Sequence, residues 1–209
     1  MLKKDNFIYY CFIIINMAKD YTPVGKGYYN YNDFTVKRNF FTFSYPFVVY
    51  SGSNLLFKVK RKFSFSRGYT YELHDKNKNF LGIVIKYVKG KFFSAVFNYE
   101  IFHDNKLVGR VKFENVLRSS GSVYDSKGKE ICKIQHEKSK KAYIGKKFMP
   151  FSKDKLFFMV GSKEIGNFTV NPFSIKFELH LTGKLDRLLA LAAVVLIGQA
   201  LGRKKTQDY

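Results

Sequence analysis

The chain has no tryptophan, only four prolines and two cysteines, and just sixteen acidic residues among its 209 positions. Two cysteines cannot build a disulfide scaffold and fit a reducing compartment. Four prolines with fifteen glycines exclude collagen-like and linker compositions. The scarce acids fall mostly in turn-like stretches, and none forms a carboxylate pair spaced for acid–base work. There is no Gly-x-Ser-x-Gly elbow and no His-Glu-x-x-His, and Gly25-Lys26-Gly27 lacks both a third glycine and a preceding strand. The histidines are scattered. His74 and His103 read as solvated turn residues beside Asp75 and Asp104. Cys132 and His136 share a face but lack two further ligands at zinc spacing. The chain is therefore expected to be a non-enzyme with no cofactor and no metal.

What is abundant is positive charge and aromatic mass. Lys and Arg number 37, giving a formal net charge of +21, and 23 Phe with 15 Tyr make up 18% of the chain. That much apolar surface excludes a disordered polycation, which cannot offset the entropy of ordering. The charge favours polyanionic partners or anionic surfaces. An AT-rich genome would raise Lys, Asn, Phe, Tyr and Ile together, so charge alone names no partner. The length fits one large domain with appendages.

Near the start, two lysines precede an apolar run from Phe7 to Ile15, followed by Asn16-Met17-Ala18-Lys19-Asp20. A signal peptide would need small residues there, and the run falls short of the ~20 residues that span a bilayer. Met17-Ala18 would make an alternative start, so residues 1–16 read first as an extension upstream of it. A membrane-touching anchor ranks second and a signal peptide third. Residues 1–39 as a whole are expected to be irregular, 40–202 to form the domain, and 203–209 to be a basic and polar tail.

From about Phe40 to Thr182 the pattern is strand-like. Leu55, Phe57, Val59, Phe63 and Phe65 share one parity, with Arg61 the intruder, while Lys58, Lys60, Lys62 and Ser64 take the other. Leu107, Gly109, Val111 and Phe113 alternate likewise with Val108, Arg110, Lys112 and Glu114. Such period-two patterns mark half-buried antiparallel strands. A short pattern recurs after turn signals: Asn79-Phe-Leu-Gly82-Ile-Val, Lys106-Leu-Val-Gly109-Arg-Val, Lys129-Glu-Ile-Cys132-Lys-Ile and Lys163-Glu-Ile-Gly166-Asn-Phe. These read as hairpins of one meandering sheet, the Gly marking a bulge or a close backbone approach. Cys132 in the same slot reads as a small core residue.

The character changes at Leu185. The segment Leu185 to Leu201 is rich in Leu and Ala, which favour a helix of ~25 Å. Asp186 suits its start, and Gly202 with Arg203, Lys204 and Lys205 suits its end. The helix is apolar all round apart from Gln199, so protein or lipid must enclose it. Uncharged residues run only from Leu188 to Gly202, below the ~18 needed for a span, although Arg187 and Lys204 could snorkel. Enclosure by the chain's own strands ranks first. Leu188, Leu189, Leu191, Val194, Val195, Leu196, Ile197 and Leu201 would then be buried.

This organisation resembles the tubby C-terminal-like superfamily, most closely its LURP-one-related and phospholipid scramblase-like branch. The features that carry the resemblance are successive hairpins with Asp/Asn/Gly turns, the Lys-x-Ile-Gly-like step, and the segment Asn171-Pro-Phe-Ser-Ile-Lys-Phe-Glu-Leu running into an Asp186-led apolar helix. It covers roughly Val48 to Leu201. The resemblance implies a mainly β fold: a closed antiparallel barrel of about twelve strands enclosing a hydrophobic C-terminal helix. It also implies a module that binds phosphoinositide head groups through basic surface residues. The calcium dependence associated with scramblases would need more acids than Glu178 and Asp186 near the helix.

Two basic constellations suit anionic lipid. Lys58, Lys60 and Lys62 lie on one strand face at ~6.8 Å intervals, with Arg67 nearby. Lys138, Lys140, Lys141, Lys146 and Lys147 cluster around a second turn. Lysine-rich strand faces also guard against edge pairing. The leading expectation is a cytoplasmic monomer, peripheral at anionic membrane lipid. A regulatory or scaffold module with a protein partner follows. A nucleic-acid binder ranks lower, since Lys89 to Phe97 matches an RNA-stacking strand poorly, and a scramblase-like protein with an inserted helix is the remaining alternative.

Overall fold

Where apolar and polar residues alternate, the chain forms a sheet. The computed structural model describes residues 28–39, 44–64, 68–88, 97–115, 120–136, 154–170 and 176–204. A short 3-10 turn at Tyr28–Asn30 leads into β1 (Asp33–Arg38), β2 (Phe47–Ser51), β3 (Asn54–Ser64), β4 (Gly68–His74), β5 (Phe80–Val88) and β6 (Phe97–His103). Then come β7 (Lys106–Asn115), β8 (Ser120–Asp125), β9 (Glu130–His136), β10 (Asp154–Val160), β11 (Lys163–Val170), β12 (Lys176–Leu181) and the helix α1 (Arg187–Lys204). Each strand pairs with its sequence neighbours, and β12 pairs antiparallel with β1 to close the barrel. Closure leaves none of the twelve described strands with an exposed edge, which suits strands so rich in aromatic residues.

The start of the barrel corrects the expectation for the N-terminal segment. Residues 33–38 are not irregular but form β1, the strand that seals the ring against β12 and β2. Its signal is short: Phe34 and Val36 point inward, and the next inward position is Arg38 rather than an apolar residue. The seam is tied further by the Ser51 hydroxyl donating to the Asp33 carbonyl at 2.8 Å, and by the Leu181 amide donating to that of Asn32 at 2.9 Å.

The recurring hairpin pattern marks a run of bulges. In β10–β11 the register passes from Phe158 opposite Gly166 to Met159 opposite Glu164, leaving Ile165 without a partner. Val108 beside Gly109 and Ile131 beside Cys132 are skipped in the same way, and residues 81–83 face Leu73 around Gly82. Gly82 has φ +74°, and a Cβ there would collide with the Asp104 carboxylate, so this slot requires glycine. A fifth bulge skips Leu56 in β2–β3, where Phe57 stands in the glycine slot. Bulges raise local twist and coil a strand, which helps a single sheet bend round to meet itself.

The strands connect by tight turns at one end, as at 52–53, 104–105 and 161–162. Asp75 holds one of these by accepting hydrogen bonds from the Asn79 amide at 2.7 Å and its side-chain nitrogen at 3.0 Å. Burial alone would raise the Asp75 carboxyl, but these bonds and one from the Asn77 amide hold it below its usual value. The stretch Asp75 to Asn79 is thus a capped turn. Helix α1 starts at this turn end and leaves by the opposite one, the exit end.

Asp186 caps α1, its Oδ1 accepting from the Leu188 amide at 2.8 Å and the Leu189 amide at 3.2 Å. The Arg187 side chain donates to Asn32 Oδ1 at 2.7 Å, anchoring the helix start to the segment before β1. The helix runs on through Gly202 to Lys204, beyond the expected stop at Leu201. Leu188, Leu189, Leu191, Val194, Val195, Leu196 and Ile197 are all buried, while the side chain of Leu201 lies outside those described. A Cβ on Gly109 of β7 would come within 2.9 Å of Leu189, and one on Gly198 would meet Phe177 of β12 and Phe47 of β2 at 3.0–3.1 Å. Strands β7 and β1 are diametrically opposed in the ring, so a helix touching both sides lies inside it. The protein itself encloses α1, and among the described residues no helix is long and apolar enough to cross a membrane. One polar group enters this core at a cost: Gln199 is 6% exposed, and its Oε1 has no hydrogen-bond partner among the described residues.

Candidate anion-docking face

The outward face of β3 bears the lysine row that the alternation predicts. Lys58, Lys60 and Lys62 point away from the core, opposite His74, Glu72 and Thr70 of β4 respectively. Lys58 Nζ donates to the Lys76 carbonyl at 3.0 Å. Lys62 Nζ lies 2.7 Å from Glu72 Oε1, so the most exposed lysine of the row is partly neutralised. Burial would raise the Glu72 carboxyl, but hydrogen bonds from Lys62 and then His74 hold it below its ordinary value. Neighbouring strands and turns extend the basic face. Lys37 of β1 stands over the Tyr50 ring at 4.8 Å, Lys86 of β5 over Phe102 at 4.7 Å, and Lys76 and Lys78 are exposed in the β4–β5 turn. Glu72, Asp75, Asp33 of β1 and Glu100, opposite Lys86, are carboxylates interleaved with these lysines, and each is engaged locally, Asp33 with His180 and Glu100 with Arg110.

His74 departs from its expected role as a solvated turn residue. It is 6% exposed, with Nδ1 at 2.9 Å from the Lys78 carbonyl and Nε2 at 3.4 Å from Glu72, and it lies between the rings of Tyr45 and Phe80. The bulge in β4–β5 brings Phe80 opposite His74 and so covers it. His103 does sit partly exposed beside Asp104, at 3.6 Å. Arg67 and the second cluster, Lys138, Lys140, Lys141, Lys146 and Lys147, lie outside the described residues.

A different constellation occurs on the far side of the seam. A groove of about 360 Å³ runs over the outer faces of β11, β12 and β1, lined by Asp33, Thr35, Asn167, Thr169, Glu178 and His180 among others. His180 Nδ1 meets Asp33 Oδ1 at 2.5 Å, and Lys176 Nζ meets Glu178 Oε1 at 2.6 Å. Alternation alone marks His180 as outward. Its pairing with Asp33 depends on the β1–β12 register, which no local pattern reveals. Inside the barrel, Cys132 is buried, and burial, with a smaller contribution from Glu130, pushes its thiol up to about 12. Such a thiol is an inert filler. Among the described residues no group of three or more His, Cys, Asp or Glu is placed to hold a metal ion.

No protein-family model and no curated protein matches this chain. Among solved structures it is similar to the X-ray structure of an Arabidopsis thaliana protein, at 15% identity and a TM-score of 0.45, over 80% of this chain and 89% of that one.

Proposed function

We propose that the chain is a tubby C-terminal-like, non-enzymatic barrel module that docks peripherally, from the cytoplasmic side and as a monomer, on anionic phospholipid. The observation that carries this reading is the lysine face of β1 to β5. Three lysines repeat on β3, others flank them on β1, β5 and the β4–β5 turn, and the interleaved carboxylates are tied up locally. Each basic residue near an anionic leaflet contributes ~1 kcal/mol, so several together give useful affinity without a deep pocket. A barrel wrapped around its own apolar helix, as the sequence resemblance implies, further supports the reading.

Vesicle sedimentation tests it. Binding to phosphoinositide-containing vesicles should weaken as salt rises and fall about a hundredfold or more when Lys58, Lys60 and Lys62 are changed to Glu. Unchanged binding in that variant would remove this face. Capture of oligonucleotides with a steep salt slope would favour a nucleic-acid partner instead.

A further inference from the structure

Within the lysine face, the ring of Phe80 stands out toward solvent. Phe80 is 47% exposed at the start of β5, directly after the lysine-bearing turn 75–79. The register between β4 and β5 jumps from Glu72 opposite Val84 to His74 opposite Phe80, and the extra residues of β5 re-aim the ring outward. The ring rests on the buried His74 ring at 5.8 Å, and His74 Nδ1 lies 2.9 Å from the Lys78 carbonyl, so one histidine holds both the ring and the turn. Within the turn, the Lys78 amide donates to the Asp75 carbonyl at 3.1 Å and the Asp75 amide to the Asn79 carbonyl at 2.9 Å. Lys78 itself has φ +70°, a left-handed conformation that glycine or asparagine adopts at lower cost. A lysine at such a position points to a use for its charge. Lys76, Lys78 and Phe80 are thus exposed together, and Lys86 is exposed further along β5. Val84 and Phe102, opposite each other on β5 and β6, continue the apolar surface and are half-buried. The carboxylates around this patch are each engaged: Glu72 with Lys62, Asp75 within its turn, Glu100 with Arg110, and Asp104 beside His103.

An exposed ring among lysines suits a surface that is anionic outside and oily just beneath. Ammonium groups meet phosphates at the head-group level, while the ring between them gains by leaving water for the acyl boundary. We infer that Phe80 enters the head-group–acyl boundary of an anionic bilayer with Lys76 and Lys78 on the phosphates beside it, so that the barrel lies on its β3–β5 wall, tilted toward the turn end. This rests on the lipid-docking reading above and gives it an orientation and an inserted residue. The lysines favour an anionic surface over a neutral one. The ring favours a bilayer over dissolved phosphate, because a bilayer would bury it whereas a free ion would leave it in water. Because His74 and Asp75 already fix the ring and the turn, little ordering entropy opposes the contact.

The absence of tryptophan makes the test direct. Phe80→Trp and Val160→Trp each install a single indole at the turn end, the second at a 48% exposed position of β10, across the ring from β4. With vesicles containing phosphatidylinositol bisphosphate, the indole at 80 should shift to the blue and that at 160 should not. Phe80→Ala should weaken vesicle binding about fivefold and leave its salt dependence unchanged. Lys76→Gln with Lys78→Gln should weaken binding about thirtyfold and flatten the salt dependence. Phe80→Leu should restore most of the binding, and thermal melts of every variant check folding, since Phe80 also covers His74. If the unaltered chain sediments with these vesicles while the indole at 80 is silent, or while both indoles shift alike, this seating is overturned and the lipid reading stands. If it sediments with no anionic vesicle, both fall. An equal shift at 80 with free inositol trisphosphate would assign the ring to a dissolved phosphate and overturn insertion. A shift that grows with protein concentration without vesicles would seat a second copy there and overturn it equally.

Discussion

Leu189→Ala is the sharpest probe of the buried helix. Leu189 is 2% exposed, and its methyl groups fill the space that a side chain at position 109 of β7 would occupy. Removing buried leucine atoms costs roughly 2.7–5.0 kcal/mol, more where the surroundings cannot collapse. Here they cannot readily do so, because β7 is held on both sides by β6 and β8. A cost of about 4 kcal/mol is therefore expected, which lowers a urea midpoint by roughly 2 M at a slope of ~2 kcal/mol/M. Far-ultraviolet circular dichroism suits the measurement, since the chain has no tryptophan to report on unfolding. Gly109→Ala adds a Cβ against both Leu189 and the Tyr124 carbonyl and should cost roughly 1–3 kcal/mol alone. In the double variant the new methyl occupies part of the vacated space, so the two effects should fall short of additivity by about 0.5–1 kcal/mol. A cost below about 1 kcal/mol for Leu189→Ala, or additivity within ~0.3 kcal/mol, would refute the packing of this helix against β7.

Two further outcomes are expected alongside the vesicle experiments. Gln199→Leu removes a buried carbonyl oxygen that has no partner among the described residues and should raise stability by roughly 1–3 kcal/mol in the same urea assay, and a loss would mean that the oxygen is satisfied. Glu72 titrates below its ordinary value, so its stabilising effect is present above about pH 4.5 and is lost as pH falls through its folded pKa. Lys62→Met should accordingly cost about 0.2–1 kcal/mol near neutrality and progressively less as pH falls through the lowered pKa of Glu72, whereas a cost independent of pH would contradict the ion pair.

How much could be read in advance depended on whether the signal was local. Four of the bulges were visible because a small residue recurs at the skipped position or next to it, and Gly82, Gly109, Cys132 and Gly166 announce them. The β2–β3 bulge carries the same distortion without that flag, because Phe57 fills the slot and faces the core. Helix α1 was legible because a seventeen-residue segment, Leu185 to Leu201, without a polar face admits few enclosures. Strand β1 was not, since its third inward residue is Arg38 and its partner β12 is far away in sequence. For the same reason the pairing of Asp33 with His180 escaped notice. The lysine row of β3 was plain from alternation, but its partial neutralisation by Glu72 depends on a cross-strand register.

Sealing the ring through β1 and β12 has a consequence for biosynthesis. Asp33 and His180 stand 147 positions apart, and the helix that occupies the interior follows both. A polypeptide emerging from the ribosome therefore exposes a long unpaired lining of Phe, Ile and Val before its closing partner and its plug are translated. Chaperone capture during that interval, and slow completion after release, are the natural companions of this topology.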